Sequence, residues 1–229
     1  MIKKFLAALL FVGLSACSSA DTSDDTTIVA YDPELAYDLT DVSYGTDPEQ
    51  TMDVYLPAKR NKNTKVVVLV HGGAWVSGSK EDFNNFIPVI KTRFPQHAIV
   101  NINYRLATTA SPAFPKQVED LQQVIAFLKD SDYTIANNYA FIGASAGAHL
   151  ALLYGYKYDT AHEVKAIGNV GPADFLDPAY TSHPLYNYAA QNLLGTANIT
   201  QQMITEVSPL AHITAQAAKN GDSEPLTPG

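Results

Sequence analysis

From about residue 37 onward, short apolar runs alternate with longer segments whose apolar positions recur at helical spacing. Residues 65–70 (KVVVLV) are almost wholly β-branched and show no apolar-polar alternation. A strand buried on both faces of a parallel sheet has that pattern. Residues 98–104 (AIVNINY) and 139–142 (YAFI) read as strands too, and 164–170 as a weaker one. Alternating runs at 41–45 and 52–56, joined by Thr46-Asp47-Pro48-Glu49, predict an antiparallel hairpin. Val118, Leu121, Val124, Ile125 and Leu128 repeat at helical spacing behind Pro115 and predict a helix over 116–129. Residues 83–94 read as a helix that Pro88 would weaken or kink. Further helices are expected over 146–155, 186–194 and 199–207. Strands alternating with helices at these intervals predict an α/β fold, a doubly wound and mostly parallel sheet, over residues 37–213. Residues 214–229 hold one large apolar side chain, Leu226, among turn formers, and read as a disordered tail.

The first residues break this pattern. Lys3 and Lys4 precede an apolar run over 5–14. Ten helical residues cover about 15 Å, half of a bilayer core, so residues 1–16 read as a signal peptide and not as a membrane span. Leu14-Ser15-Ala16-Cys17 resembles the lipobox of bacterial lipoproteins, which implies that Cys17 becomes the lipidated first residue of the mature chain. The plainer alternative is an ordinary signal peptide with an incidental cysteine. Residues 17–36, with the acidic stretch SSADTSDD, read as a flexible tether. Ser18 stands where lipoprotein retention signals usually carry Asp, and by that resemblance the outer membrane is favoured over the inner. The expected location is the cell envelope, with the membrane as partner through the lipidated N-terminus.

Composition narrows the chemistry. Of 229 residues, 46% are hydrophobic and 17% charged, which suits one globular domain. The net charge of −8, with no basic run beyond Lys3-Lys4 and Lys59-Arg60, excludes a nucleic-acid binder. A single cysteine excludes an internal disulfide, a cysteine-based zinc site and an iron–sulfur cluster. H-E-x-x-H, G-x-G-x-x-G and P-loop motifs are all missing, so neither a metal nor a nucleotide cofactor is expected.

Gly143-Ala144-Ser145-Ala146-Gly147 matches G-x-S-x-G between an expected strand and an expected helix. That context sets Ser145 on a sharp turn at the carboxyl edge of a sheet, beside the N–H groups of a helix start. Directly after the first buried strand comes His71-Gly72-Gly73-Ala74-Trp75. Paired glycines let backbone N–H groups turn toward one anion position, so Gly72, Gly73 and Ala74 with Ala146 are the candidate oxyanion hole.

These motifs resemble the α/β-hydrolase superfamily, in particular its HGG-type carboxylesterases near the hormone-sensitive-lipase and feruloyl-esterase-like groups. Asp53-Val54-Tyr55-Leu56-Pro57, Asn103-Tyr104-Arg105-Leu106, Phe114-Pro115 with Asp120, and Ser208-Pro209-Leu210 add to the likeness. It implies a serine hydrolase without cofactor acting on a small ester substrate, a small acyl or acylated-sugar ester, with an amide substrate also open. It further implies that Arg105 and Asp120 form a buried structural pair and that Asp53 is a strand-turn residue.

The likeness stops short of a full catalytic set. In the resembling families an acid follows a seventh strand and a histidine an eighth, whereas here no apolar pattern continues past residue 213 and no histidine follows His212. Among the available substitutes, His149 lies one turn along the elbow helix and reads as a packed residue. His162 reads as solvated, while His183 and His212 are weak candidates for a base. Asp174 and Asp177 are the only stand-in acids, with Asp174 a turn former by resemblance. A sheet whose sixth strand is an unpaired edge is expected, with strands seven and eight missing, and a truncated esterase is favoured over a shortened relative. The expected function is a serine ester hydrolase with impaired activity. The alternative is a non-catalytic envelope lipoprotein that keeps the pocket for binding.

Overall fold

Val66, Val68 and Val70 pack on one face of a sheet and Val67 and Leu69 on the other, which is why this strand needs no polar position. The computed structural model describes residues 31–108 and 110–213. The expected signal peptide, Cys17 and the 214–229 tail lie outside the described residues.

Among the described residues six strands lie in the order β1-β2-β4-β3-β5-β6. They are β1 (Tyr37–Ser43), β2 (Thr51–Leu56), β3 (Val66–Val70), β4 (Ala98–Ile102), β5 (Tyr139–Ala144) and β6 (Val164–Val170). β1 and β2 pair antiparallel, as β2 and β4 do, while β4, β3, β5 and β6 run parallel. α1 (Ile87–Arg93) covers one face through Ile87 and Ile90. α2 (Lys116–Asp130) and α3 (Ala146–Leu153) cover the other through Val118, Leu121, Val124 and Leu150. Among the described residues three short α-helices follow β6: α4 (Pro178–Thr181), α5 (Tyr186–Leu194) and α6 (Gln201–Val207). The sheet is thus of the doubly wound, α/β-hydrolase type. Among the described residues β6 pairs with β5 alone, and Val170 at its end is 84% exposed.

Several local expectations need correction. The helix expected over 83–94 is a 3-10 turn (Lys80–Phe83) followed by the shorter α1, and Pro88 sits in the first turn of α1 without breaking it. The missing N–H of a proline there would have had no intrahelical partner anyway. The first strand of the hairpin is β1, earlier than 41–45, because Tyr44 belongs to the turn and its N–H bonds the Gln50 carbonyl. The elbow helix gives way after Leu153 to a wider π turn (Tyr154–Tyr158). Residues 31–36, placed by composition in the tether, lie against the domain. The Arg60 guanidinium donates to the carbonyls of Tyr31 and Leu35, and Tyr31 packs edge-on to Tyr37 and Tyr133.

The parallel register decides where the site sits. Val70 at the end of β3 lies beside Gly143 near the end of β5. The chain leaving β3 into His71-Gly72-Gly73-Ala74 therefore emerges next to the turn that carries Ser145.

Candidate active site

Ser145 stands between β5 and α3 with φ 50° and ψ −113°, a conformation costly for any residue with a Cβ. The turn is held on both sides: Ser145 N–H donates to the Val170 carbonyl at 2.7 Å, and its own carbonyl accepts the His149 N–H at 3.1 Å. The residue is exposed, and among the described residues its hydroxyl has no hydrogen-bond partner.

Close approach explains the glycine that follows. A Cβ on Gly147 would lie 2.1 Å from the Val70 carbonyl oxygen and 2.3 Å from that of His71. Only a glycine lets the start of α3 press against the end of β3. The His-Gly-Gly loop meets the same turn from the other side, since a Cβ on Gly72 would lie 3.4 Å from Ser145 Cβ. Gly73 has φ 113°, and its carbonyl accepts the N–H groups of Val76 and Ser77, each at 3.0 Å. Ala74 and Trp75 continue with positive φ, 49° and 67°. Among the described residues the N–H groups of Gly73, Ala74 and Ala146 have no acceptor.

Trp75 ties this loop to the elbow helix. Its indole N–H donates to His149 Nδ1 at 3.2 Å, and its carbonyl accepts from Ala107 N–H and Gln117 Nε2. That bond leaves the His149 proton on Nε2, which donates to the Val207 carbonyl at 2.8 Å. Both ring nitrogens are engaged. Burial pulls the His149 pKa down to about 4, so the ring is neutral. It packs edge-on between Trp75 and Phe175.

His71 is also buried. Its Nδ1 bonds the Gly72 carbonyl at 2.7 Å, its ring stacks on Tyr104 at 4.1 Å, and burial lowers its pKa. The Tyr104 hydroxyl donates to the His71 carbonyl, which fixes the loop at its root.

The other candidates are occupied elsewhere. His162 lies in the loop before β6. His183 accepts the Leu185 N–H, and His212 bonds the Glu206 carbonyl. Asp174 accepts the Leu176 N–H and Asp177 caps α4 through the Ala179 N–H, so both carboxylates shape turns. Among the described residues none of these groups bonds to Ser145.

Arg105 and Asp120 do pair, at 2.6 Å, with the carboxylate fully buried and also accepting from Gln50. Asp53 is more than a strand-turn residue: it meets buried Lys80 at 2.6 Å, and Lys80 also reaches Asp41 at 2.9 Å. Burial alone would lower the Lys80 pKa, but the two carboxylates outweigh it and raise it. Nothing in the spacing of these residues marks the cluster, and sequence reasoning missed it. The Trp75–His149 bond was missed for the same reason.

Among the described residues, a six-stranded, mostly parallel sheet with a serine elbow at its carboxyl edge and a glycine loop beside it has the architecture of an α/β-hydrolase. Within that class the chain belongs to the BD-FAE family, whose profile matches residues 52–220. It is 26% identical over 200 residues to kynurenine formamidase of Danio rerio, covering 81% of this chain and 64% of that protein. It is 31% identical to Esterase LipC of Mycobacterium tuberculosis over 120 residues, 50% of this chain and 28% of that one. The chain thus spans less than two thirds of the length of either relative. Among solved structures, esterase B from Lactobacillus rhamnosis matches with a TM-score of 0.62 at 22% identity, covering 79% of this chain and 62% of that one. A bifunctional GH43-CE protein of Bacteroides eggerthii matches with a TM-score of 0.64 at 22% identity, covering 80% and 29%.

Proposed function

We propose that the protein is a lipid-anchored serine hydrolase of carboxylic esters, with Ser145 as nucleophile and Gly72, Gly73, Ala74 and Ala146 forming the oxyanion hole. The observation that carries this reading is an exposed serine at φ 50°, in contact range of a loop whose Gly73 and Ala74 N–H groups lack acceptors among the described residues. Ser145 Oγ attacks the ester carbonyl carbon, and the oxygen that gains charge is held by the N–H groups of Gly73, Ala74 and Ala146. The alcohol leaves with a proton, and water then releases the acid from the acyl-enzyme. Each such donor contributes roughly 10²–10³ in rate in comparable sites. The substrate is a small acyl or acylated-sugar ester. Similarity to a formamidase keeps an amide in view as a second substrate class.

Turnover by this chain is impaired, because no base within residues 31–213 is poised to take the Ser145 proton. His149 is locked between Trp75 and Val207, and Asp174 and Asp177 serve turns. The same observation favours a second reading, an envelope lipoprotein that binds esters without cleaving them. The anchor is an acylated Cys17, and the site the cell envelope, with the outer membrane favoured.

A fluorophosphonate probe separates the two readings. Slow stoichiometric labelling that Ser145→Ala abolishes supports the hydrolase, and folded protein inert to the probe supports the binder. Brisk hydrolysis of a nitrophenyl acyl ester by the purified chain overturns the claim of impairment.

A further inference from the structure

Large apolar side chains exposed among the described residues fall into two sets. One lies within residues 170–213, around and beyond the end of β6. The other is Leu35, Phe86, Val89 and Phe94, on α1 and on the stretch leading into β1. Val89 lies on α1, and Phe86 and Phe94 cap its two ends. The lead-in is tied to it: Lys91 bridges to Asp38 at 2.9 Å, and Ala36, Asp38, Lys91 and Phe94 line one cleft of about 310 Å³. The floor of that cleft is apolar, with Leu56, Pro57 and Ile99.

The charge around this second set is unlike that of the rest of the chain. No carboxylate occurs between Asp53 and Glu81 or between Asp82 and Glu119. The first stretch supplies exposed Lys59, Lys62 and Lys65 near the start of β3, and the second supplies Lys91 and Arg93. Asp32, Glu34 and Asp38 adjoin Leu35 in sequence, and Asp38 is paired with Lys91. Arg60, next to Lys59, holds the carbonyls of Tyr31 and Leu35. Residues 18–31 can span at most about 50 Å.

We propose that this face docks on an anionic phospholipid bilayer, with Leu35, Val89 and Phe94 entering the headgroup–acyl boundary and Lys59, Lys91 and Arg93 meeting lipid phosphates. The proposal rests on the reading of Cys17 as the lipid anchor. An apolar patch rimmed by cations, at the point where an acylated segment joins the fold, binds such an interface weakly by itself and firmly once tethered. The consequence is orientation. Phe94 precedes the start of β4, whereas Ser145 follows the end of the parallel β5, and five strand residues separate those ends by about 16 Å. The docked domain holds Ser145 away from the bilayer, toward substrates in the aqueous phase.

The test uses the mature full chain, with its acyl mass determined, on vesicles of phosphatidylethanolamine and phosphatidylglycerol containing brominated lipid. Phe94→Trp places a reporter in the face, Tyr188→Trp on α5 serves as control, and buried Trp75 is common to both. The expected result is quenching of the Phe94→Trp signal at least threefold stronger than that of the control, reduced toward control by Lys59→Glu with Arg93→Glu. An acylated, vesicle-bound chain with both reporters quenched equally overturns the proposal and leaves the anchor standing. Selective quenching in a chain without acyl mass supports docking and removes the anchor reading. Emission of Phe94→Trp that shifts with protein concentration in the absence of vesicles assigns the face to a second copy and also overturns it.

Discussion

The indole N–H of Trp75 donates to Nδ1 of His149 across the core, so the glycine loop after β3 and the elbow helix after β5 share one buried hydrogen bond. Two segments that would otherwise move separately are thereby held in one arrangement around Ser145.

Trp75→Phe keeps most of the ring and removes the donor, leaving His149 Nδ1 buried and unpaired. Such an orphaned acceptor costs about 1–3 kcal/mol. A matching drop in urea-unfolding free energy is expected, together with slower fluorophosphonate labelling of Ser145. Unchanged stability and unchanged labelling would show that the bond holds neither segment.

His149 also sets a pH dependence. Its folded pKa, about 4, lies below the ordinary 6.5, so below about pH 6.5 the unfolded chain binds a proton that the folded chain excludes. Stability from this group falls as pH drops toward 4, and the slope vanishes below that. Between about pH 7 and about pH 5 the loss is about 2 kcal/mol. His149→Gln, which cannot titrate, is expected to show a shallower decline over that window in paired denaturant titrations. Parallel curves for the two proteins would rule out His149 as the source.

Gly147→Ala puts a methyl group about 2 Å from the Val70 carbonyl, where backbone meets backbone and neither side can rotate away. The expected outcome is loss of soluble folded protein, or a fall in melting temperature well beyond that of Gly168→Ala. A Cβ on Gly168 meets nothing closer than 3.9 Å. Circular dichroism melts of the two variants decide it.

Lys80→Met removes the cation that Asp53 and Asp41 share, leaving the Asp53 carboxylate buried beside a thioether. Breaking a buried pair on one side costs about 3–5 kcal/mol. Adding Asp53→Leu is expected to recover part of that loss, because the stranded charge goes with it. A double variant no more stable than Lys80→Met would show that the stranded carboxylate is not the source of the cost.

The strand and helix alternation, the parallel sheet, and the Ser145 and Gly72–Gly73 motifs were all legible along the chain. Each is written in consecutive residues, where β-branched runs, helical spacing and paired glycines constrain the backbone locally. Boundaries were read less well. Pro88 suggested a weakened helix, and only the start of α1 at Ile87 turned that proline into a harmless first-turn residue. Tyr44 looked like strand until its N–H was seen closing a turn onto Gln50.

What sequence by itself determined was the class of fold and the place of Ser145 in it, because both follow from near-neighbour sterics and from apolar periodicity. What tertiary structure alone decided was which distant groups meet: Trp75 with His149, Lys80 with Asp53, and Asp38 with Lys91. Such pairs lie tens of residues apart and share no period. Their contact depends on the register of β3 against β4 and β5, which brings the strand ends and the loops leaving them side by side.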